Sequence, residues 1–235
     1  MPHEIKPINL GGVNCYLVKT DDGGHVLIDT GYSTQRADLE RELEKAGCRP
    51  GNLKLILLTH GDADHAGNGA YLREKYGAKI AMHQRDSGMV EREDTSQSRK
   101  AKPDKLSLIF RIMVLFIKPV KLDLFKPDLT VDEGFDLSEY GFDAKVLHIP
   151  GHSKGSIGIL TTGGDLFCGD LLYNIPGFFF VDDLADYTAS LKKLRSLTIN
   201  TVYPGHGKPF SLELFMKKNR YLKSLVSSDA SQAAS

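Results

Sequence analysis

The chain of 235 residues balances 30 Lys plus Arg against 30 Asp plus Glu, with 41% hydrophobic and 26% charged residues. That size and balance suit one large α/β domain or two small ones, with enough core to fold without metal or disulfide staples. Zero formal net charge lacks the basic surplus of a nucleic-acid enzyme, and no apolar run approaches the roughly 20 residues of a membrane span.

In chain order, β-rich stretches at Glu4–Leu10, Cys15–Lys19 and His25–Asp29 open the sequence, the last two split by a turn at Asp21–Gly24. Ser33–Ala46 places Leu39, Leu43 and Ala46 at helical spacing and stops at Gly47. Lys54–Thr59 is nearly all apolar, the pattern of a strand buried on both faces, and it runs into His60-Gly61-Asp62-Ala63-Asp64-His65. A helix over Gly67–Tyr76 and a strand over Ala78–Met82 follow, then a polar, irregular stretch over 86–105.

Leu106–Ile117 predicts a helix with Asp104 as N-cap and Pro119 beyond its end. Its polar positions Ser107, Arg111 and Lys118 fall within about 40° of one another, so the helix is apolar almost all round. Such a helix needs a cover, and a lipophilic substrate or a second copy of the chain in a homodimer would each provide one. Three strands then each lead into a motif: Lys145–Ile149 into Pro150-Gly151-His152-Ser153, Asp165–Cys168 into Gly169-Asp170, and Asn200–Tyr203 into Pro204-Gly205-His206-Gly207. Helices fit Ala185–Leu197 and Leu212–Leu225, and Ser227–Ser235 reads as a flexible tail after one domain over 1–226, with a helical insertion or lid at about 86–125.

His60, Asp62, Asp64, His65, His152, Asp170 and His206 thus stand at strand ends, where open α/β sheets bind ligands. Imidazole and carboxylate are ligands of borderline and hard divalent metals, and seven such groups exceed one tetrahedral ion but suit two sharing a carboxylate. Any single member has an ordinary explanation as a turn residue or helix cap; four ligand types in six positions do not. Two such ions would lower the pKa of a bridging water and produce a hydroxide able to attack an ester, lactone or thioester carbonyl of a small-molecule substrate. His3, His25 and His148 read as structural, and His83 as a surface-loop residue. Phe178-Phe179-Phe180, shortly after Asp170, could wall an apolar pocket. The three cysteines have no paired spacing and the N-terminus has no apolar signal region, which together predict a reduced, cytoplasmic protein.

Together with Asn14-Cys15-Tyr16-Leu17-Val18 and Leu27-Ile28-Asp29-Thr30-Gly31, these motifs make the chain resemble the metallo-β-lactamase superfamily over roughly residues 5–210. The resemblance implies a four-layer αββα sandwich and a dinuclear site, zinc being the usual metal. It places His60 and His152 on a first metal, Asp64, His65 and His206 on a second, and Asp170 between them. It gives Asp29 a role in orienting the ligand loop by hydrogen bonds, and Tyr173 a role in stabilising the oxyanion, with Asp64 and Tyr173 as the catalytic pair.

Asp62 departs from the usual His-x-His-x-Asp-His pattern. Similar flavodiiron proteins carry a Glu there, so a di-iron oxidoreductase without its flavodoxin domain is the alternative function. Asp62, Asp64, Asp170 and a bridging hydroxide would also neutralise two divalent ions, which shifts preference toward iron or manganese.

Overall fold

A computed structural model describes residues 3–114, 120–219 and 222. The first six-stranded sheet is built from β1 (Ile5–Leu10), β2 (Val13–Lys19), β3 (His25–Ile28), β4 (Leu53–Leu57), β5 (Lys79–Met82) and β7 (Leu129–Thr130), in that spatial order. Its first two pairings are antiparallel and its last three parallel. The second sheet orders β12 (Thr201–Pro204), β10 (Asp165–Gly169), β9 (Ile157–Thr161) and β8 (Ala144–His148). A two-stranded ribbon pairs β6 (Lys105–Leu106) with β11 (Phe180–Val181).

Side-chain alternation turns these sheets into layers. In the run through β4, Leu55 and Leu57 join Val146, Ile159 and Phe167 in a core between the two sheets. Ile56 and Leu58 face the other way, onto α1 (Arg36–Lys45) and α3 (Gly69–Tyr76) through Leu39, Leu43, Leu72 and Tyr76. On the far side, α6 (Leu184–Arg195) packs Tyr187, Leu191 and Leu194 over Leu166, Cys168 and Val202. Helix, sheet, sheet and helix make the αββα sandwich. Cys15, Cys48 and Cys168 are buried and unpaired.

Several expectations shift. A helix, α4 (Gln84–Arg92), begins the stretch read as irregular. His83, expected on a surface loop, is instead its buried N-cap, with Nδ1 accepting from Arg85 N at 3.1 Å. The oily helix starts two residues late, as α5 (Leu108–Val114), because Leu106 is taken by the ribbon. Ser107, with Oγ accepting from Phe110 N at 3.2 Å, caps it; Asp104 serves α6 instead, accepting from Leu184 N at 2.8 Å. The expected end of that helix over 115–117 and the tail at 227–235 lie outside the described residues; of the last helix beyond α7 (Leu212–Lys218), only its extended C-cap Asn219 and Leu222 are described. Among the described residues, no helix is long and apolar enough to cross a membrane.

Candidate metal centre

All seven predicted ligands meet at one edge of the sandwich. His60, Asp62, Asp64 and His65 follow β4, the last two on the short helix α2 (Ala63–Ala66); His152 follows β8, Asp170 follows β10 and His206 follows β12. His60, His152 and Asp170 offer ligand atoms within 4.8 Å of one another, and so do Asp64, His65 and His206. Asp170 joins the two groups: its carboxylate lies 3.4 Å from His65 Nε2 and 3.3 Å from His206 Nε2. Gly205 is a glycine for steric reasons, since a Cβ there would overlap Asp170 Oδ1 and crowd His65.

Hydrogen bonds behind the rings fix which nitrogen faces inward. Asp29 Oδ2 accepts from His65 Nδ1 at 2.9 Å and from the Thr59 hydroxyl at 2.8 Å. With its proton spent on Asp29, Thr59 Oγ1 accepts from His60 Nδ1 at 3.0 Å. His206 Nδ1 donates to Gly12 O at 2.9 Å. The Tyr173 hydroxyl donates to Asp170 Oδ2 at 3.2 Å, so it can accept from His152 Nδ1, also at 3.2 Å. Each ring therefore presents Nε2 to the centre, as a metal-binding imidazole requires. Asp29 does this at φ +57°, a left-handed conformation uncommon outside glycine. Asn14 and Tyr16 of β2 hold the His206 loop, donating to Pro204 O at 3.0 and 2.6 Å.

The donor set fits a cation. His60 Nε2, His65 Nε2 and Asp170 Oδ1 are buried without a hydrogen-bond partner among the described residues, a costly arrangement unless something electropositive joins them. Burial disfavours charge on His206, yet Asp170 and Asp64 raise its pKa to about 10. His65 shows the same competition, and Asp170, Asp64 and Asp29 win there too. This half of the centre holds positive charge strongly.

The other half contains a residue that sequence reading missed. Arg99 Nη2 donates to Asp62 Oδ2 at 2.6 Å and lies 3.0 Å from His152 Nε2, its guanidinium over the Phe180 ring at 4.9 Å. Burial and the Arg99 charge push the His152 pKa down to about 4, so that imidazole is neutral. Arg99 also changes the charge count. Its single positive charge cancels Asp62, so the pair contributes the same net charge as the neutral histidine of the usual motif.

Asp86 of α4 was missed as well. It is fully buried and accepts from Gly61 N at 3.3 Å, Ser153 Oγ at 2.6 Å and Gly155 N at 2.8 Å, tying the His60 and His152 loops together. Neither Arg99 nor Asp86 sits in a strand-end motif or among the motifs that carry the family resemblance. A third cluster, His83, Asp132 and His148, suits a metal poorly. His83 Nδ1 accepts a backbone proton, which leaves the Nε2 facing Asp132 at 3.4 Å as a donor rather than a lone pair.

Phe180 packs on His152 at 5.0 Å between ring centroids, and Phe178 on Tyr173 at 4.9 Å. Phe110 of α5 touches both phenylalanines, while Phe179 is exposed. Phe178, Phe180 and Phe110 of α5 thus form an apolar wall beside the centre.

Comparison with known proteins agrees with this architecture. The sequence profile of the metallo-beta-lactamase superfamily matches residues 8–206. Hydroxyacylglutathione hydrolase GloC of Haemophilus influenzae is 28% identical, covering 94% of this chain and 98% of its own. Acyl-coenzyme A thioesterase MBLAC2 of Bos taurus is 25% identical over 89% of this chain and 78% of its own. TTHA1623, solved in a di-iron-bound form, is 32% identical, with a TM-score of 0.64 over 92% of this chain and all of that one. The chain belongs to the metallo-β-lactamase superfamily and is one of its metal-dependent hydrolases.

Proposed function

We propose that the protein hydrolyses an acyl thioester, releasing a carboxylate and a thiol. The observation that carries this reading is the convergence of four imidazole Nε2 atoms and the Asp64 and Asp170 carboxylates beside an apolar wall. The similarity to a hydroxyacylglutathione hydrolase and an acyl-coenzyme A thioesterase supports a thioester over a lactone or β-lactam.

His60 and His152, with Asp62, would hold a first ion; Asp64, His65 and His206 a second; Asp170 would lie between them. Two divalent ions, when bound, lower the pKa of a shared water to near neutrality and polarise the substrate carbonyl. The residues of the chain prepare that centre. Asp29, Thr59, Tyr173 and the Gly12 carbonyl keep the rings in the ligating tautomer. Burial and the neighbouring Asp170 hold the Tyr173 pKa well above its usual range, so its hydroxyl keeps the proton it donates to Asp170. In this geometry Tyr173 positions Asp170 and His152. Phe178 and Phe180 close one side of the centre to water.

The nitrogen and oxygen donors suit zinc, iron or manganese, and the di-iron form of the 32% identical protein supports iron. The unpaired thiols support a reducing compartment such as the cytoplasm.

Thiol release from a hydroxyacylglutathione and from acyl-coenzyme A substrates, measured with zinc, iron and manganese forms, tests the proposal. Turnover abolished by a chelator and restored by metal is expected. Cleavage of lactones or β-lactams alone would move the substrate class, and silence throughout with oxygen consumption by the iron form would favour an oxidoreductase.

A further inference from the structure

The two halves of the centre are not equivalent. Around Asp64, His65 and His206, the ion pairs of the candidate ligand atoms among the described residues all run to other candidate ligands. Around His60 and His152 a cation is already built into the chain. Arg99 Nη2 touches Asp62 Oδ2 at 2.6 Å and His152 Nε2 at 3.0 Å, two atoms that would otherwise face an ion. His60 Nε2, 3.3 Å from the same Asp62 oxygen, is left without a hydrogen bond.

We propose that Arg99 is a built-in competitor for the first half of the centre, its guanidinium taking the place of a metal ion between Asp62 and His152. The inference rests on the metal-centre reading above. The Asp64–His65–His206 half then loads first and tightly. The His60–His152 half loads only when Arg99 swings away from Asp62.

The way Arg99 is held fits an occupant that can leave. One nitrogen, Nη2, makes both contacts with the centre, in place of the two-pronged grip an arginine can make on a carboxylate. Its buried Nε lacks a hydrogen-bond partner among the described residues. It rises from the irregular stretch between α4 and β6, whereas the candidate ligands stand on α2 or on the turns that follow strands of the two main sheets. Asp62 is therefore matched to Arg99 as an ion pair. A histidine at position 62 would give Arg99 no carboxylate to hold.

An ion entering the first half must break a charge-assisted hydrogen bond, which weakens that step by about tenfold or more. Cobalt(II) titration of the chelator-treated full-length protein reads each step, by calorimetry and by the visible bands of the bound ion. Wild type is expected to bind one ion tightly and a second at least about tenfold more weakly. In Arg99→Leu the second step should tighten by a similar factor, while the first stays put. Asp62→His removes the arginine's partner by the other route and should do the same, which covers a failure of Arg99→Leu to fold. Arg99→Lys keeps a cation beside Asp62 and should keep the weak second step. Equal steps in wild type, or a gap unchanged in both Arg99→Leu and Asp62→His, overturns the competitor. No cobalt bound by any of these proteins overturns the metal centre itself, and the competitor with it.

Discussion

The centre and its rim are built in opposite ways. At the centre, ligands rise from strand ends, and each imidazole is tied from behind by Asp29, Thr59, Tyr173 or a backbone carbonyl. At the rim, a ribbon of two two-residue strands and the short helix α5 pack through phenylalanine rings. There, Leu108 stands 71% exposed and Ile109 and Ile112 50% each. If the rim receives the acyl group, as proposed, chemistry stands on rigid elements and recognition on short, more exposed ones.

The largest effect expected is at the shared carboxylate. Asp170→Asn keeps the shape and removes the charge facing both halves, so thioester hydrolysis should fall on the order of a thousandfold, with bound metal also reduced. Retained turnover would break the idea of a joint centre. Asp29→Asn comes next. Asp29 belongs to neither ligand cluster, yet it holds His65 and Thr59, so metal affinity should fall roughly ten- to a hundredfold. Chelator competition measures this, and an unchanged affinity would show that the rings orient without their backing.

How much of each region could be read from sequence follows the same division. His60, Asp64, His65, His152, Asp170 and His206 were legible because each stands at the end of a strand with its own apolar run, and the motifs confine their placement. Asp29 also ends a strand, but its orienting role came from the resemblance to the superfamily alone. Arg99 and Asp86 were not legible, since they reach the centre from 25 or more residues away, across a stretch whose polarity hid α4. Most of that polarity faces solvent, as at Arg92, Glu93 and Lys102, and it masks the two polar residues that are buried on partners: Asp86 pairs with the His60 and His152 loops, and Ser98 Oγ donates to Arg85 O at 2.7 Å. The α5 start was displaced because β-pairing of Leu106 with Phe180 involves residues 74 apart, which helical periodicity cannot register.

Asp183 lies on the seam between the two regions. It caps α6 by accepting from Ala185 N and Asp186 N, and it also meets Lys100 and Lys154. The bond from Asp186 N, with those two lysines, holds its carboxyl well below the usual range. A depressed carboxyl stabilises the fold above the unfolded pKa, near 4, and loses that contribution as pH falls through its folded value. Asp183→Ala should therefore cost about 1 kcal/mol at neutral pH in urea unfolding, and progressively less in acid. A penalty independent of pH would assign its effect to something other than the charged cap.

The smallest effect tests the rim directly. Leu108 and Ile112 sit four apart, neighbours on one face of α5, and both are exposed; a double change to serine removes little buried surface. Stability should stay within about 0.5 kcal/mol of wild type. If this face carries the acyl chain, KM for a long-chain acyl thioester should rise roughly three- to tenfold, because each methylene kept from water contributes about 0.8 kcal/mol. KM for a short hydroxyacyl thioester should not move, since that substrate ends at Phe178 and Phe180. Sedimentation of both proteins separates the alternative. A wild-type dimer that becomes a monomer on substitution, with both KM values unchanged, would make the face a contact between copies, and the apolar wall of the centre would then stop at the phenylalanines.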